Sequence, residues 1–312
     1  MRFKARGDKT SVSFLASLLS PLSRLSETSY LKLDVSVLRM SSGPQSASSS
    51  SCFCEVSLSS LFSAYKIESC DGNQILVECD LDHLRSLLSS VVSAMTPYCN
   101  CLIKLAKRNS YPVLVVEKDS DGSSSSIDVK GEVPIRVLQV DEFAAMLPPK
   151  TSTPDVQLYL PPPSNPVLRN ALDKMRTMAQ FLYLHGTMGG ELSLSTMTDC
   201  VCAKVFFDGL KVEFTDCKAS GAYRAKAANS NAPLEDDTEA KATLKVDAKK
   251  LTEMFRWQIP LTKWVTDATL CMVQDEMLIL HCRLPLGDPS EDPVGFITMY
   301  TPAAQLDPDE IA

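Results

Sequence analysis

The sequence predicts an α+β fold made of two pseudo-symmetric halves. Three observations carry this. A unit of one strand, one amphipathic helix and two or three further strands recurs four times along the chain. A proline-rich stretch, Leu147-Pro-Pro-Lys-Thr-Ser-Thr-Pro154, separates the second unit from the third. The length of 312 residues, with 45% hydrophobic and 22% charged, suits two globular domains. The expected halves are 1–138 and 155–302, joined by a connector at 139–154 and followed by an acidic tail at 303–312.

The elements follow in order. In the first unit Arg2–Arg6 alternates polar and apolar residues as a strand does, and Ser11–Leu25 has helical periodicity. Strands are expected at Tyr30–Met40 and Cys52–Leu58, around a Ser/Gly/Pro loop at 41–51 that reads as flexible. The second unit has a strand at Gln74–Cys79, a helix at Leu81–Met95 and strands at Cys99–Lys107, Pro112–Lys118 and Ile127–Leu138. Asp119-Ser-Asp121-Gly122 keeps calcium-loop spacing only as far as Asp121, so a hairpin loop is expected there. The third unit opens at Asp155–Leu160. Pro166 suits the first turn of a helix running to Gln180. Strands follow at Phe181–His185, Glu191–Met197 and Cys200–Phe207, and Gly186-Thr-Met-Gly-Gly190 reads as a hairpin turn. After a polar insert at 215–239, expected to be mobile, the fourth unit has a strand at Ala242–Val246 and a helix at Asp247–Trp257. Its remaining strands are Thr269–Gln274, Met277–Leu284 and Gly295–Tyr300.

On a helical wheel each helix has one apolar stripe. Leu15, Leu18, Leu19 and Leu22 line the first, with Ser13, Ser17, Ser20 and Arg24 opposite. Leu84, Leu87, Leu88, Val91 and Met95 line the second, with Asp82, Arg85, Ser86, Ser89 and Ser93 opposite. In the third, Leu168, Leu172, Met175, Ala179 and Leu182 face inward, with Arg169 and Arg176 on one outer flank and Lys174 on the other. In the fourth, Leu251, Met254 and Phe255 are opposed by Lys249, Glu253 and Arg256, with Lys250 beside them. The outward faces are neutral to mildly basic although the chain carries a net charge of −7. An ordinary solvated face accounts for that pattern. So does a surface that passes close to phosphates and holds them weakly and salt-sensitively.

Composition excludes several function classes. No run of about 18 apolar residues occurs, so no membrane-spanning helix and no membrane partner are expected. The basic N-terminus (Arg2, Lys4, Arg6, Lys9) ahead of an apolar stretch resembles a targeting segment, but its strand-like alternation, Asp8 and Pro21 favour folded structure. Eleven cysteines and no Asn-x-Ser/Thr sequon suit a reducing compartment. The pairs Cys52/Cys54, Cys99/Cys101 and Cys200/Cys202 put both thiols on one strand face, where small apolar packing is expected rather than zinc. No phosphate loop or nucleophile elbow is found, and His83, His185 and His281 show no zinc spacing and read as structural. No catalytic residue, cofactor or metal is expected.

Several segments, in register along nearly the whole chain, carry a resemblance. They are Met1-Arg-Phe-Lys-Ala5, Val133-Pro-Ile-Arg-Val137, Asp155-Val-Gln-Leu-Tyr-Leu-Pro161, Leu172-Asp-Lys-Met175, Gly190-Glu-Leu-Ser-Leu194 and Cys200-Val-Cys202. With them the chain resembles the Hus-one family of checkpoint sliding-clamp subunits. The loop at 41–51, the insert at 215–239 and the tail depart from that pattern. The resemblance implies a PCNA-like sliding-clamp (DNA clamp) fold, with helices on one side of antiparallel sheets. It implies a non-catalytic subunit of a heterotrimeric ring with Rad-nine-like and Rad-one-like subunits, placed by a clamp loader around double-stranded DNA. Such a ring serves checkpoint and repair proteins in the nucleus. The alternative is a homotrimeric PCNA-like replication clamp. By analogy, the DNA-facing residues are Arg24, Arg85, Arg169, Lys174, Arg176, Lys249, Lys250 and Arg256. Subunit-interface edges are implied at Ile127, Val129 and Val133, and at Val201, Ala203, Val205 and Phe207. The connector would cross the outer surface, beside a pocket for partner peptides.

Overall fold

A computed structural model describes the chain except for residues 27, 43–48, 71, 120–128, 140–141, 143–146, 161–165, 199–201, 213–239, 257–260, 266, 287–292 and 306–312. The expected loop at 119–122, the 215–239 insert and most of the acidic tail therefore lie wholly or mainly outside the described residues. Met1–Gln45, Cys52–Leu147 and Leu284–Phe296 form one compact unit; Ser46–Ser51, Pro148–Arg283 and Ile297–Ala312 form the other. One of the boundaries between them falls at Leu147–Pro148. The segment Leu284–Phe296 clusters with the first unit rather than with the second half expected at 155–302.

The first unit contains β1 (Arg2–Gly7), α1 (Lys9–Leu25), β2 (Thr28–Leu33), β3 (Val37–Ser41), β4 (Ser51–Ser57), a one-turn α2 (Leu58–Leu61), β5 (Ala64–Glu68), β6 (Ile75–Asp80), α3 (Leu81–Ala94), β7 (Asn100–Arg108), β8 (Tyr111–Asp119) and β9 (Lys130–Val137). Its strands pair antiparallel in the order β5-β1-β7-β8-β9-β6-β2-β3-β4. Leu15 and Leu19 of α1, Leu84 and Leu88 of α3, and sheet residues such as Phe3, Leu31, Val77 and Ile103 meet around one wholly apolar cavity of about 40 Å³. Both helices therefore lie on the same face of the sheet. They run past each other in contact. The Lys9 ammonium at the start of α1 donates to the Met95 carbonyl just past the end of α3 (2.8 Å), where a cation meets the negative end of a helix. On the opposite face Tyr30, Leu76 and Leu138 form a small buried cluster.

The second unit repeats the plan. It contains β10 (Val156–Leu160), α4 (Val167–Met175), β11 (Phe181–Thr187), β12 (Glu191–Met197), β13 (Cys202–Phe207), β14 (Lys241–Asp247), α5 (Ala248–Arg256), β15 (Asp267–Val273), β16 (Met277–Leu284) and β17 (Gly295–Pro302). The strands lie in the orders β13-β12-β11-β14 and β10-β15-β16-β17. α4 packs on α5. The recurrence extends to detail: β1 pairs with β5, and β10 makes an isolated antiparallel bridge, Leu158 to Val212.

Three expectations need correction. The strand expected at Tyr30–Met40 is a hairpin, β2 and β3. Its turn carries no Gly or Asn-Gly signal; instead the Asp34 side chain accepts from Val35 N–H (2.8 Å) and the Asp34 amide donates to Val37 O (2.9 Å). The third helix stops at Met175 rather than Gln180. Thr177 turns its hydroxyl onto Lys174 O (2.7 Å), Ala179 falls beyond the helix, and Leu182 belongs to β11. α2 and β5 are additional. Both are too short for periodicity to reveal.

Candidate functional site

Two kinds of surface follow from this fold: the outward helix faces and the open strand edges. α1 starts where Asp8 accepts from Ser11 N–H (2.8 Å), and α3 where Asp80 accepts from His83 N–H (3.0 Å). On their outer sides Ser17, Ser90 and Ser93 hydroxyls fold back onto the carbonyls of Ser13, Ser86 and Ser89 (2.8–2.9 Å), which leaves a smooth, neutral surface. Ser20, expected outward, is buried instead. Arg85 is held by Asp82 of its own helix (3.1 Å), whereas Arg24 is exposed in the last turn of α1 with no ion pair among the described residues.

In the second unit the arginines divide. Arg256 reaches from α5 to Asp173 of α4 (2.7 Å) and also lies 3.9 Å from Glu253. Arg176 lies 3.6 Å from the same Asp173, and its buried Nε has no hydrogen-bond partner. These two arginines, expected to face outward, are about one-third exposed and converge on Asp173, and Arg256 ties α5 to α4. Arg169, Lys174 and Lys249 have no carboxylate partner among the described residues. Asp247 accepts from the amides of Lys249 (2.9 Å) and Lys250 (3.1 Å), so its charge serves the first turn of α5. The helix pair thus combines internally neutralised arginines with a few uncommitted cations.

The strand edges come next. β13 pairs with β12 alone among the described residues, so its other edge carries open backbone groups. Ala203, Val205 and Phe207 lie on its half-buried face, and Val201 lies outside the described residues. Sequence reasoning missed the opposite face, Cys202, Lys204 and Phe206, which is the exposed one. A charged Lys204 inside an otherwise apolar run was the signal. β9 is flanked by β8 along Lys130–Pro134 and by β6 along Ile135–Val137. The side of Lys130–Pro134 away from β8 therefore faces no described strand. Ile127 lies outside the described residues, and the Val129 carbonyl accepts from Lys118 N–H (2.9 Å). The Val133 side chain is fully buried, so only its backbone can serve an edge.

The cysteines and histidines divide by burial. Cys52, Cys54 and Cys101 are buried, whereas Cys202 is exposed, against the expectation for that pair. Cys99 is partly exposed, 3.0 Å from Thr96 Oγ1. Burial pushes the Cys79 and Cys101 thiols up to about 12. His185 Nδ1 lies 3.0 Å from Thr243 Oγ1, and buried His281 Nδ1 lies 2.9 Å from Thr298 Oγ1. At the start of the connector, Arg136 joins Glu78 of β6 to Glu142 (3.2 Å) beside the Tyr30 cluster.

Comparison with solved structures defines the class. The fold is that of PCNA sliding clamps. The chain matches PCNA from Thermococcus kodakaraensis with a TM-score of 0.61 at 13% identity, covering 96% of this chain and 99% of that one. It matches PCNA from Entamoeba histolytica at 0.62 and 10%, over 97% and 99%. It also matches a chain of the PCNA2–PCNA3 complex of Sulfolobus tokodaii at 0.60 and 13%, over 96% and 98%. Residues 1–305 match the family model described as Hus1-like protein, and the chain belongs to that family. Similar curated proteins are the checkpoint protein hus1 of Schizosaccharomyces pombe (22% identity, 77% of this chain and 78% of that protein) and checkpoint protein HUS1 of Homo sapiens (25%, 67% and 74%). A third is the Dictyostelium discoideum homologue (30%, 51% and 56%). A clamp fold within this family makes the chain a checkpoint-clamp subunit.

Proposed function

We propose that the chain is a non-catalytic subunit of a heterotrimeric ring that encircles double-stranded DNA and acts in DNA damage checkpoint signalling and DNA repair. The observation that carries this reading is the Hus1 family match over a chain whose clamp fold is covered nearly end to end. Its partners in the ring are Rad-nine-like and Rad-one-like subunits. A clamp loader places the ring on DNA in the nucleus, where checkpoint and repair proteins dock on it. The open β13 edge supports assembly by strand addition, in which backbone groups of adjoining subunits satisfy one another. The sparse cations of the helix faces support a loose, sequence-independent hold, because encirclement itself keeps a ring on DNA.

The test is the native mass of the purified chain and the set of proteins that co-elute with it from cells. Co-elution with two further clamp-like chains is the expected result. A stable self-trimer would instead indicate a homotrimeric replication clamp.

A further inference from the structure

A serine or threonine followed directly by proline is the minimal acceptor of proline-directed protein kinases. The chain has four: Ser20-Pro21, Thr96-Pro97, Thr153-Pro154 and Thr301-Pro302. The fold withdraws three of them. Ser20 is buried inside α1, and Thr301 is fully buried in β17. Thr96 is exposed, but it opens a turn that Cys99 N–H closes onto Thr96 O (3.2 Å), and its Oγ1 lies 3.0 Å from Cys99 Sγ. A kinase takes its substrate segment extended with the hydroxyl free, so a threonine bent into a turn and already partnered is a poor acceptor.

Thr153 differs on each count. Residues 147–155 belong to neither helix nor strand, and Thr153 is exposed with no hydrogen bond to its hydroxyl among the described residues. Pro154 keeps it extended, because the helical conformation would drive the preceding residue into the proline ring. Around Thr153 the chain is strapped to the turn between β15 and β16, within the second unit. Ser152 N–H donates to Glu276 Oε2 (3.3 Å), Asp155 N–H donates to Met272 O (2.9 Å), and Gln274 N–H donates to Asp155 Oδ2 (2.8 Å). The charged groups here are mostly acidic: Asp155 on the strap, and Asp275 and Glu276 on the turn, against Lys150 as the one cation of 147–155. Two of the three ties therefore run from neutral amides to carboxylates, an arrangement that a new anion beside it opposes.

We propose that Thr153 is a phosphorylation site for a proline-directed kinase, and that the phosphate loosens this strap from the β15–β16 turn. Thr153 Oγ1 attacks the γ-phosphorus of ATP. The bond from that phosphorus to the β–γ bridging oxygen breaks, ADP leaves with its electron pair, and the hydroxyl proton passes to the base of the kinase. Val156 rather than a cation stands three residues after Thr153, which suits the mitogen-activated class, whose acceptors need only the proline. The product adds about −1.5 to −2 charge at neutral pH. That charge falls one residue from the amide that Glu276 holds and two from the carboxylate of Asp155, so repulsion acts on both carboxylate ties at once. The modification needs neither the ring nor DNA, and it stands apart from the helix faces and strand edges.

The test is incubation of the native full-length chain with ATP and a purified mitogen-activated protein kinase, read by phosphopeptide mass spectrometry. Short peptides carrying each of the four Ser/Thr-Pro sequences serve as controls for what the kinase accepts without a fold. In the native chain phosphate is expected at Thr153 alone of the four. Thr153→Ser is expected to keep it, Thr153→Ala to lose it and Pro154→Ala to lose most of it. Hydrogen exchange of the phosphorylated chain is then expected to run several-fold faster at the Ser152 and Gln274 amides and to be unchanged in β11 and β12. Glu276→Gln should blunt the change at Ser152. Melting of each variant at the wild-type temperature shows that the fold is intact. A native chain left unlabelled at Thr153, or labelled equally at Thr96, overturns the site. Labelling at Thr153 with unchanged exchange at both amides overturns the loosening.

Discussion

At the residue scale, charged side chains on this fold divide into those that stabilise it and those left for partners. Glu117 is of the first kind. Burial pushes its carboxyl up, but the hydrogen-bonded Lys104 ammonium and Lys130 outweigh that and hold it below the usual carboxylate range. A depressed carboxylate stabilises the fold above its unfolded value near 4.3, and that contribution is lost as pH falls through the lower folded value. Glu117→Gln should therefore cost up to about 1 kcal/mol at neutral pH. In urea unfolding at stepped pH, the gap to wild type should close in the acid range. Thiols show the same division. Cys70 and Cys202 are exposed, whereas Cys54, Cys79, Cys101 and Cys282 are buried and burial raises their pKa. Alkylation at pH 8 followed by peptide mass spectrometry should label the first two in the native protein and the others only after unfolding. The tie from Arg256 to Asp173 also changes how the helix surface should be probed. A charge reversal at Arg256 would disturb the α4–α5 contact as well as any phosphate contact, whereas Arg169 and Lys249 are free of that complication.

At the element scale, β13 and the β11–β12 hairpin have distinct demands. Adjacent residues of a strand send their N–H groups to opposite sides. Of Lys204→Pro and Val205→Pro, one must therefore break the ladder to β12 while the other removes a donor from the open edge. The variant that melts like wild type should be the one that fails to associate with partner clamp chains in size-exclusion chromatography. If both variants associate, the interface lies elsewhere. In the hairpin, Gly190 has φ +88°, its carbonyl accepts from Leu210 N–H (2.9 Å), and a Cβ there would lie 2.5 Å from Leu210 O. Gly190→Ala combines backbone strain with a clash against main chain, so a loss of about 1–3 kcal/mol is expected in chemical denaturation.

At the scale of the whole molecule, the proposed ring predicts how DNA should be held. A ring assembled with its partners and loaded on closed circular DNA should persist at salt concentrations that strip it from linear DNA, because only linear DNA has ends to slide from. Arg169→Glu with Lys249→Glu should speed loss from linear DNA at low salt and leave assembly unchanged. Unaltered retention at every salt concentration would remove these residues from the DNA-facing surface. The few uncommitted cations suit this behaviour. Each phosphate contact steepens the salt dependence, so a surface with few of them slides rather than grips.

The order of strands and helices was legible in the sequence because periodicity survives in long amphipathic segments. The leucine stripes of α1 and α3 and the alternation of β11 dictate which faces are buried whatever lies beyond them. Short elements such as β5 and the Asp34 turn were not legible, since four or five residues cannot show a period. Helix register also separates outward cations from inward leucines. Only the tertiary structure decides that Arg256 of α5 reaches Asp173 of α4, that Cys202 is exposed, and that Ser193 and Ser195 of β12 come into register with His185 and Tyr183 of β11 and with Phe206 and Lys204 of β13. Those facts depend on which residues of distant segments come into register, and local periodicity carries no record of that pairing.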